Sequence, residues 1–290
     1  MIEFKSQLVQ ISDAELEVFS AGEGEAVFVC THPYKDPKGP YPSGGLTDAL
    51  ARCGRTFYVC PRGTGGSTPE ERRDKLTLAQ LARDMEEVRA ALGVTSWTPA
   101  GSSTGGMTAL QYAVNFPDRV DGLVLVCTGA SYRVFDDPDC IYNPGNPHFL
   151  AEQEARLAGT EAAFGDKWLT TILDLSVHNK AVLPNLIGNM KVSAIRADVD
   201  REELLDWKWD VEPYLKDIAA PVVVIAGRHD VQSPLIASYT MVRQIETSEF
   251  VIFNGSGHFP YEEEPERFRQ VIADFAGRRL KSRGRDGWPA

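Results

Sequence analysis

The chain has 290 residues, 43% of them hydrophobic and 24% charged, and a net charge of −11. That length suits one large domain or a core carrying an inserted subdomain. The acidic balance argues against a general nucleic-acid or anionic-membrane binder; no apolar run reaches the roughly 18–20 residues that cross a bilayer, and Met1-Ile2-Glu3-Phe4-Lys5 lacks the basic head and long apolar stretch of a secretory signal.

In chain order, β-like segments are expected at residues 8–11 and 15–19, with Gly22 and Gly24 in the turn beyond them. Ala26-Val27-Phe28-Val29-Cys30 and Thr56-Phe57-Tyr58-Val59-Cys60 are continuous apolar runs, the pattern of strands covered on both faces. Residues 77–92 carry Leu78, Leu81, Met85, Val88 and Leu92 at helical spacing, and Gly93 ends that helix. A strand is predicted at 97–100, a helix at 107–115, strands at 120–127 and 221–226, a helix at 236–244, a strand at 250–253 and a helix at 265–276. Strands alternating with helices predict an α/β fold with a mostly parallel sheet and helices on both faces.

The interval 131–219 breaks this rhythm. Turn-rich stretches, Asp136-Asp137-Pro138-Asp139 and Asn143-Pro144-Gly145-Asn146-Pro147, lead into helical patterns without clear strands. It reads as a helical lid over the sheet's carboxyl edge. The division is therefore a core of 1–130 and 220–277, a lid of 131–219 and a basic, frayed tail of 278–290. The five cysteines are Cys30, Cys53, Cys60, Cys127 and Cys140, without a C-x-x-C pair. Cys30, Cys60 and Cys127 end strand-like runs as small buried hydrophobes, which fits a reducing, cytoplasmic setting.

The sharpest motif is Gly101-Ser102-Ser103-Thr104-Gly105-Gly106, between a short apolar stretch and a helical pattern. It reads as G-x-S-x-G, a tight strand-to-helix turn presenting a serine, with glycines where a side chain would collide. Glycine is wanted two residues after the nucleophile, which selects Ser103 over Ser102. Gly227-Arg228-His229-Asp230 and Gly255-Ser256-Gly257-His258 each follow an apolar run, so the order is serine, aspartate, histidine. In this arrangement His258 takes the Ser103 proton and Asp230 orients the imidazole. His229 is the rival base. Asp136, Asp206 and Asp210 are fallback acids, and a helix-capping role competes for Asp230. No histidine–carboxylate cluster has zinc spacing, and Gly63-Thr64-Gly65-Gly66 matches neither a P-loop nor a dinucleotide fingerprint. Neither cofactor nor metal is expected. The Thr104 amide, following the nucleophile, is one expected oxyanion donor.

With these motifs the chain resembles the α/β-hydrolase superfamily over residues 20–131 and 219–277. Val27-Phe28-Val29-Cys30-Thr31-His32-Pro33 resembles the strand preceding the oxyanion loop. Pro61-Arg62-Gly63-Thr64-Gly65-Gly66-Ser67 is similar to the family's Arg-Gly-x-Gly-x-Ser loop. Asn115-Phe116-Pro117-Asp118-Arg119-Val120 resembles the exit from the nucleophile helix. Gly257-His258-Phe259-Pro260, with Glu264-Pro265-Glu266-Arg267-Phe268, resembles the catalytic-histidine segment. Lidded esterases, proline iminopeptidases and carbon–carbon bond hydrolases are the most similar branches. Pro33 stands where glycine is usual, and the iminopeptidase His-Gly-Gly-Pro-Gly signature is absent, which weakens the peptidase assignment.

The resemblance implies an eight-stranded, mostly parallel sheet and an enzyme cleaving a small-to-medium carboxylic ester, amide or lactone through an acyl-enzyme. An acyltransferase, a carbon–carbon hydrolase, an iminopeptidase and a non-catalytic small-ligand receptor are the alternatives. Pro33 has no N–H, so family position points to the Tyr34 amide as the second oxyanion donor. His32 reads as structural, and Arg62 as a brace for the oxyanion loop. Trp168, Trp207, Phe149 and Tyr34 are candidate substrate contacts. The lid also holds Phe164, Trp209, His148 and His178, and its acidic stretch Asp198, Asp200, Glu202, Glu203 and Asp206 reads as a solvated face. The expected partner is a small-molecule substrate, with no nucleic acid or membrane, and a homodimer is left open.

Overall fold

The computed structural model describes residues 2–33, 44–158, 171–189 and 209–280. Eight strands form one sheet: β1 (Lys5–Gln10), β2 (Glu15–Ala21), β3 (Val27–Cys30), β4 (Arg55–Val59), β5 (Thr98–Ser102), β6 (Leu123–Val126), β7 (Val222–Gly227) and β8 (Ser248–Phe253). Their order is β1-β2-β4-β3-β5-β6-β7-β8. Pairing is antiparallel only at β1–β2 and β2–β4; every later pair is parallel. The eight-stranded, mostly parallel sheet implied by the resemblance is therefore present.

The apolar runs explain the layering. Successive strand residues point to opposite faces, so Leu123, Leu125, Val222 and Val224 join one core while Val124, Val126, Val223 and Ile225 join the other. The first core is covered by α2 (Leu78–Ala91), α3 (Thr104–Asn115) and α6 (Leu235–Gln244). The second is covered by α1 (Gly44–Ala51) and α8 (Pro265–Phe275), which supply Leu46, Leu50, Phe268, Ile272 and Phe275. Both faces of the central strands are dry, which is why these strands read as continuous rather than alternating apolar runs. Thr77 caps α2, its hydroxyl accepting from the Gln80 amide at 3.1 Å.

β3 lies between β4 and β5, so the chain runs to one side of β3 and then returns to the other. Ligand crevices in open α/β sheets form at such reversals, beyond the carboxyl ends of the strands. Between β6 and β7 the described residues form helical and irregular structure. These are α4 (Pro147–Leu157), a helical segment at 171–176, α5 (Leu183–Asn189) and short 3₁₀ turns, with one isolated bridge, Ser131 to Asp210. The short helix α7 (Pro260–Glu263) precedes α8. Among the described residues no helix is long and apolar enough to cross a membrane. The tail beyond residue 280 lies outside the described residues.

Candidate active site

Ser103 occupies the turn between β5 and α3 with φ +55° and ψ −130°, one of two non-glycine residues at positive φ among those described. Such a conformation is strained for a residue with a Cβ and persists only when its surroundings hold it. They do so here. The Ser103 amide donates to the Val126 carbonyl at 3.0 Å, and the Ser103 carbonyl accepts from the Thr128 hydroxyl at 2.7 Å and the Gly106 amide at 2.8 Å. The glycines around it are obligatory. A Cβ on Gly101 would lie 2.1 Å from the Gly105 oxygen, one on Gly105 2.6 Å from the Thr31 oxygen, and one on Gly106 2.7 Å from the Thr128 side chain. Ser102 points elsewhere: it is buried, and its hydroxyl sits 3.4 Å from that of Tyr261, whose pKa burial pushes far up. The turn thus places the two serines in different settings. Thr104 begins α3, so its amide lies in the first turn of that helix.

Asp230 and His258 meet directly. The His258 Nδ1 lies 2.9 Å from each carboxylate oxygen of Asp230, and both residues are buried, at 2% and 6% exposure. With Nδ1 donating to the carboxylate, Nε2 is the ring nitrogen that can accept a proton. Asp230 Oδ1 also accepts from the amides of Gln232 at 2.8 Å and Ser233 at 3.0 Å. Asp230 thus closes its own turn while meeting the imidazole; it does not cap α6, whose N-cap is Pro234 without a side-chain cap bond. The loops carrying the pair interlock through glycine, since a Cβ on Gly227 would lie 1.8 Å from the Gly257 oxygen.

Strand order brings Ser103 to the same edge. Ser103 follows β5, Cys127 follows β6, Asp230 follows β7 and His258 follows β8, in neighbouring parallel strands. Cys127, at φ +47°, lies beside this pair, its Sγ within 4.8 Å of the Asp230 and His258 ligand atoms. Sequence spacing gave no sign of this Cys–Asp–His cluster, because its members come from three separate strand ends. Its chemistry does not suit a metal. Burial first, and then the charge of Asp230, push the thiol's pKa well above its ordinary value, whereas metal ligation needs the thiolate. The Asp230 carboxylate is already satisfied by two amides and the imidazole.

The rival base is elsewhere. His229 is exposed, stacks on His178 with ring centroids 3.9 Å apart, and places Nε2 3.1 Å from the Asn254 carbonyl. Adjacent residues leaving a strand point in opposite directions, so only one of His229 and Asp230 can face inward. Of the fallback acids, Asp210 pairs with Arg133 at 2.9 Å, Asp136 is exposed, and Asp206 lies outside the described residues. His32 is buried near Gly105.

The described partners of Arg62 are Asp84 on α2, at 2.7 and 2.9 Å, and Asp13 in the β1–β2 turn, at 2.5 Å. Through these it braces that helix against that turn; the oxyanion loop at 34–43 lies outside the described residues. In the neighbouring glycine loop the Gly66 amide donates to the Glu17 carboxylate at 2.7 Å, an internal partner in place of a phosphate. Trp209 belongs to the core: it is buried, and its Nε1–H donates to Gln111 on α3 at 2.8 Å. Phe149 is buried on α4. Tyr34, Phe164, Trp168 and Trp207, with the acidic stretch at 198–206, lie outside the described residues. All five cysteines are free, and Cys30, Cys60, Cys127 and Cys140 are buried.

Sequence reasoning missed what supports the histidine. The His258 amide donates to the Ser176 carbonyl at 2.7 Å, and the buried Gln232 donates to the Ser176 hydroxyl at 2.7 Å while accepting from Tyr142 at 2.8 Å. Glu263 accepts from the amides on either side of His258, Gly257 at 2.8 Å and Phe259 at 3.3 Å. The only sequence cue was the acidic run Glu262-Glu263-Glu264, which by composition reads as a solvated face.

Comparison with known proteins agrees with this architecture. A 2-hydroxy-6-oxo-6-phenylhexa-2,4-dienoate hydrolase of Comamonas testosteroni is 24% identical, over 94% of this chain and 97% of its own length. An alpha/beta fold family hydrolase from Bacillus anthracis superposes with a TM-score of 0.82 at 24% identity, covering 94% of this chain and 99% of that one. An esterase from Exiguobacterium antarcticum gives a TM-score of 0.75 at 22% identity, covering 94% and 100%. The alpha/beta hydrolase fold family matches residues 38–265. The chain belongs to the alpha/beta hydrolase fold family.

Proposed function

We propose that the protein is a serine hydrolase that cleaves a small-to-medium carboxylic ester, amide or lactone through an acyl-enzyme on Ser103. The observation that carries this reading is the buried Asp230–His258 pair at the sheet edge that also bears the strained Ser103 turn. In the first half-reaction His258 Nε2 takes the Ser103 proton as the oxygen attacks the substrate carbonyl. The resulting oxyanion is held by the amides of Thr104 and Tyr34. His258 then gives the proton to the leaving group as the carbonyl–leaving-group bond breaks. Water enters, His258 takes its proton, and the acyl group departs as a carboxylic acid with Ser103 restored. Asp230 keeps the imidazole in its working tautomer throughout. Residues 131–219 act as the lid that shapes the pocket, with Phe149, Trp168 and Trp207 as candidate contacts, and the chain works without metal or cofactor.

A carbon–carbon hydrolase is the second reading, favoured by the name of the Comamonas testosteroni relative and by a hydrolase of Paraburkholderia phymatum named for 2-hydroxy-6-oxononadienedioate, 26% identical over 68% of this chain. Both readings use the same residues. Ser103→Ala is expected to abolish p-nitrophenyl ester turnover and fluorophosphonate labelling, while Ser102→Ala keeps both. Labelling that survives Ser103→Ala overturns the assignment. A panel of vinylogous diketones, prolyl amides and added acyl acceptors separates ester hydrolysis from carbon–carbon cleavage, peptidase action and acyl transfer.

A further inference from the structure

We propose that Glu263 is a positioning residue for His258, and that it does so by fastening the histidine's loop and residues 176–179 to a single carboxylate. The inference rests on the serine-hydrolase reading. Glu263 ends the short helix α7 and is 6% exposed. Its Oε1 accepts from Gly257 at 2.8 Å and Phe259 at 3.3 Å, and its Oε2 accepts from His178 at 2.7 Å and Asn179 at 2.8 Å. The amide between the first pair, that of His258 itself, donates to the Ser176 carbonyl at 2.7 Å. Three consecutive amides of the histidine loop are thus held, two by Glu263 and one by the segment that Glu263 also holds.

Burying a carboxylate is costly unless its lone pairs are filled. Here four backbone N–H groups fill them, and among the described residues no lysine, arginine or histidine forms an ion pair with it. Apolar packing could not take its place cheaply, because the four backbone donors would be left buried and unsatisfied. A carboxylate in this place does what apolar packing cannot: it fixes the loop's backbone on both sides of the base. Gly257 tightens the arrangement, because a Cβ there would lie 2.0 Å from the Ser176 oxygen.

Glu263→Gln tests this sharply. Each carboxylate oxygen receives two N–H donors, whereas a carboxamide offers one oxygen and one NH₂ group. Whichever way the amide turns, two backbone donors face a third donor, so glutamine can serve the histidine loop or residues 178–179 but not both. The full chain is assayed with a p-nitrophenyl ester and with a fluorophosphonate, and its Tm is recorded. The expected result is a kcat lower by about 10- to 100-fold with KM within about twofold, the scale of a misplaced catalytic group. A merely structural loss would lower the amount of enzyme that the fluorophosphonate labels while leaving kcat per labelled site unchanged; a misplaced base lowers kcat per labelled site. Wild-type enzyme that is not labelled at Ser103 rejects the serine-hydrolase reading itself. Wild-type enzyme labelled at Ser103, with a Glu263→Gln variant matching its kcat per labelled site, rejects the positioning role and leaves the hydrolase reading standing. Should Glu263→Gln fail to fold, Glu263→Asp decides. It keeps both oxygens and the charge on a stem one methylene shorter; reduced kcat at unchanged KM supports the role, and a wild-type kcat overturns it.

Discussion

Asp230 does two things with one side chain: it holds the His258 ring at 2.9 Å and closes its own turn through the amides of Gln232 and Ser233. Asp230→Asn preserves most of that shape but offers the imidazole an amide, which disturbs the tautomer. Activity is expected to fall by about 10³- to 10⁴-fold with little change in KM, which steady-state kinetics on the purified variant would check. An unaltered kcat would return the acid role to another carboxylate. The two serines show how a single residue's register governs chemistry. Ser102 is the last residue of β5 and faces Tyr261, while Ser103, one residue later, takes the strained conformation that Gly101, Gly105 and Gly106 make room for.

Among the elements, the joint between α2 and the β1–β2 turn is the clearest case of charge used structurally. Arg62 and Asp84 are each 1% exposed and form a bidentate pair. Removing one partner of such a pair leaves a buried charge behind, so Asp84→Ala is expected to cost about 3–5 kcal/mol of unfolding free energy, measured by urea denaturation. Asp13 completes the joint from a more exposed position. Hydrogen bonds from Arg62 first, and then from Lys75, lower its pKa from 3.8 to about 2. The folded state therefore favours the ionised form, and the stability it adds is present above pH 3.8 and lost as the pH falls toward about 2. Asp13→Asn should flatten the dependence of Tm on pH in that window. An unchanged slope would mean the contact contributes nothing in solution. Sequence offered Arg62 as a brace for the oxyanion loop and gave no sign of Asp13 or Asp84, since neither is near it along the chain.

Across the whole molecule, periodicity made most of the core legible. The runs at 26–30, 56–60, 120–127 and 221–226 became β3, β4, β6 and β7 because strands dry on both faces must be apolar at every position. The helix at 77–92 was legible from its spacing and from Gly93. The first helix, α1, went unread because Gly44-Gly45 at its start resembles a turn and its eight residues hold few apolar periods. The interval 131–219 announced itself only by breaking the strand–helix rhythm. Its contact with the histidine loop, through Ser176 and Glu263, has no sequence signature, because a backbone carbonyl can come from any residue type.

By itself the sequence determined the alternation of strands and helices, the turn that exposes Ser103 and the order of serine, aspartate and histidine, since each depends on local sterics or on periodicity. Tertiary structure alone decided which histidine meets Asp230, that Cys127 lies beside that pair, that Arg62 ties α2 to the β1–β2 turn, and that Glu263 holds the amides beside His258. Those outcomes depend on which strand ends become neighbours in the sheet and on which way each side chain leaves its loop. Distances of that kind are fixed by packing the whole chain, not by any stretch of it.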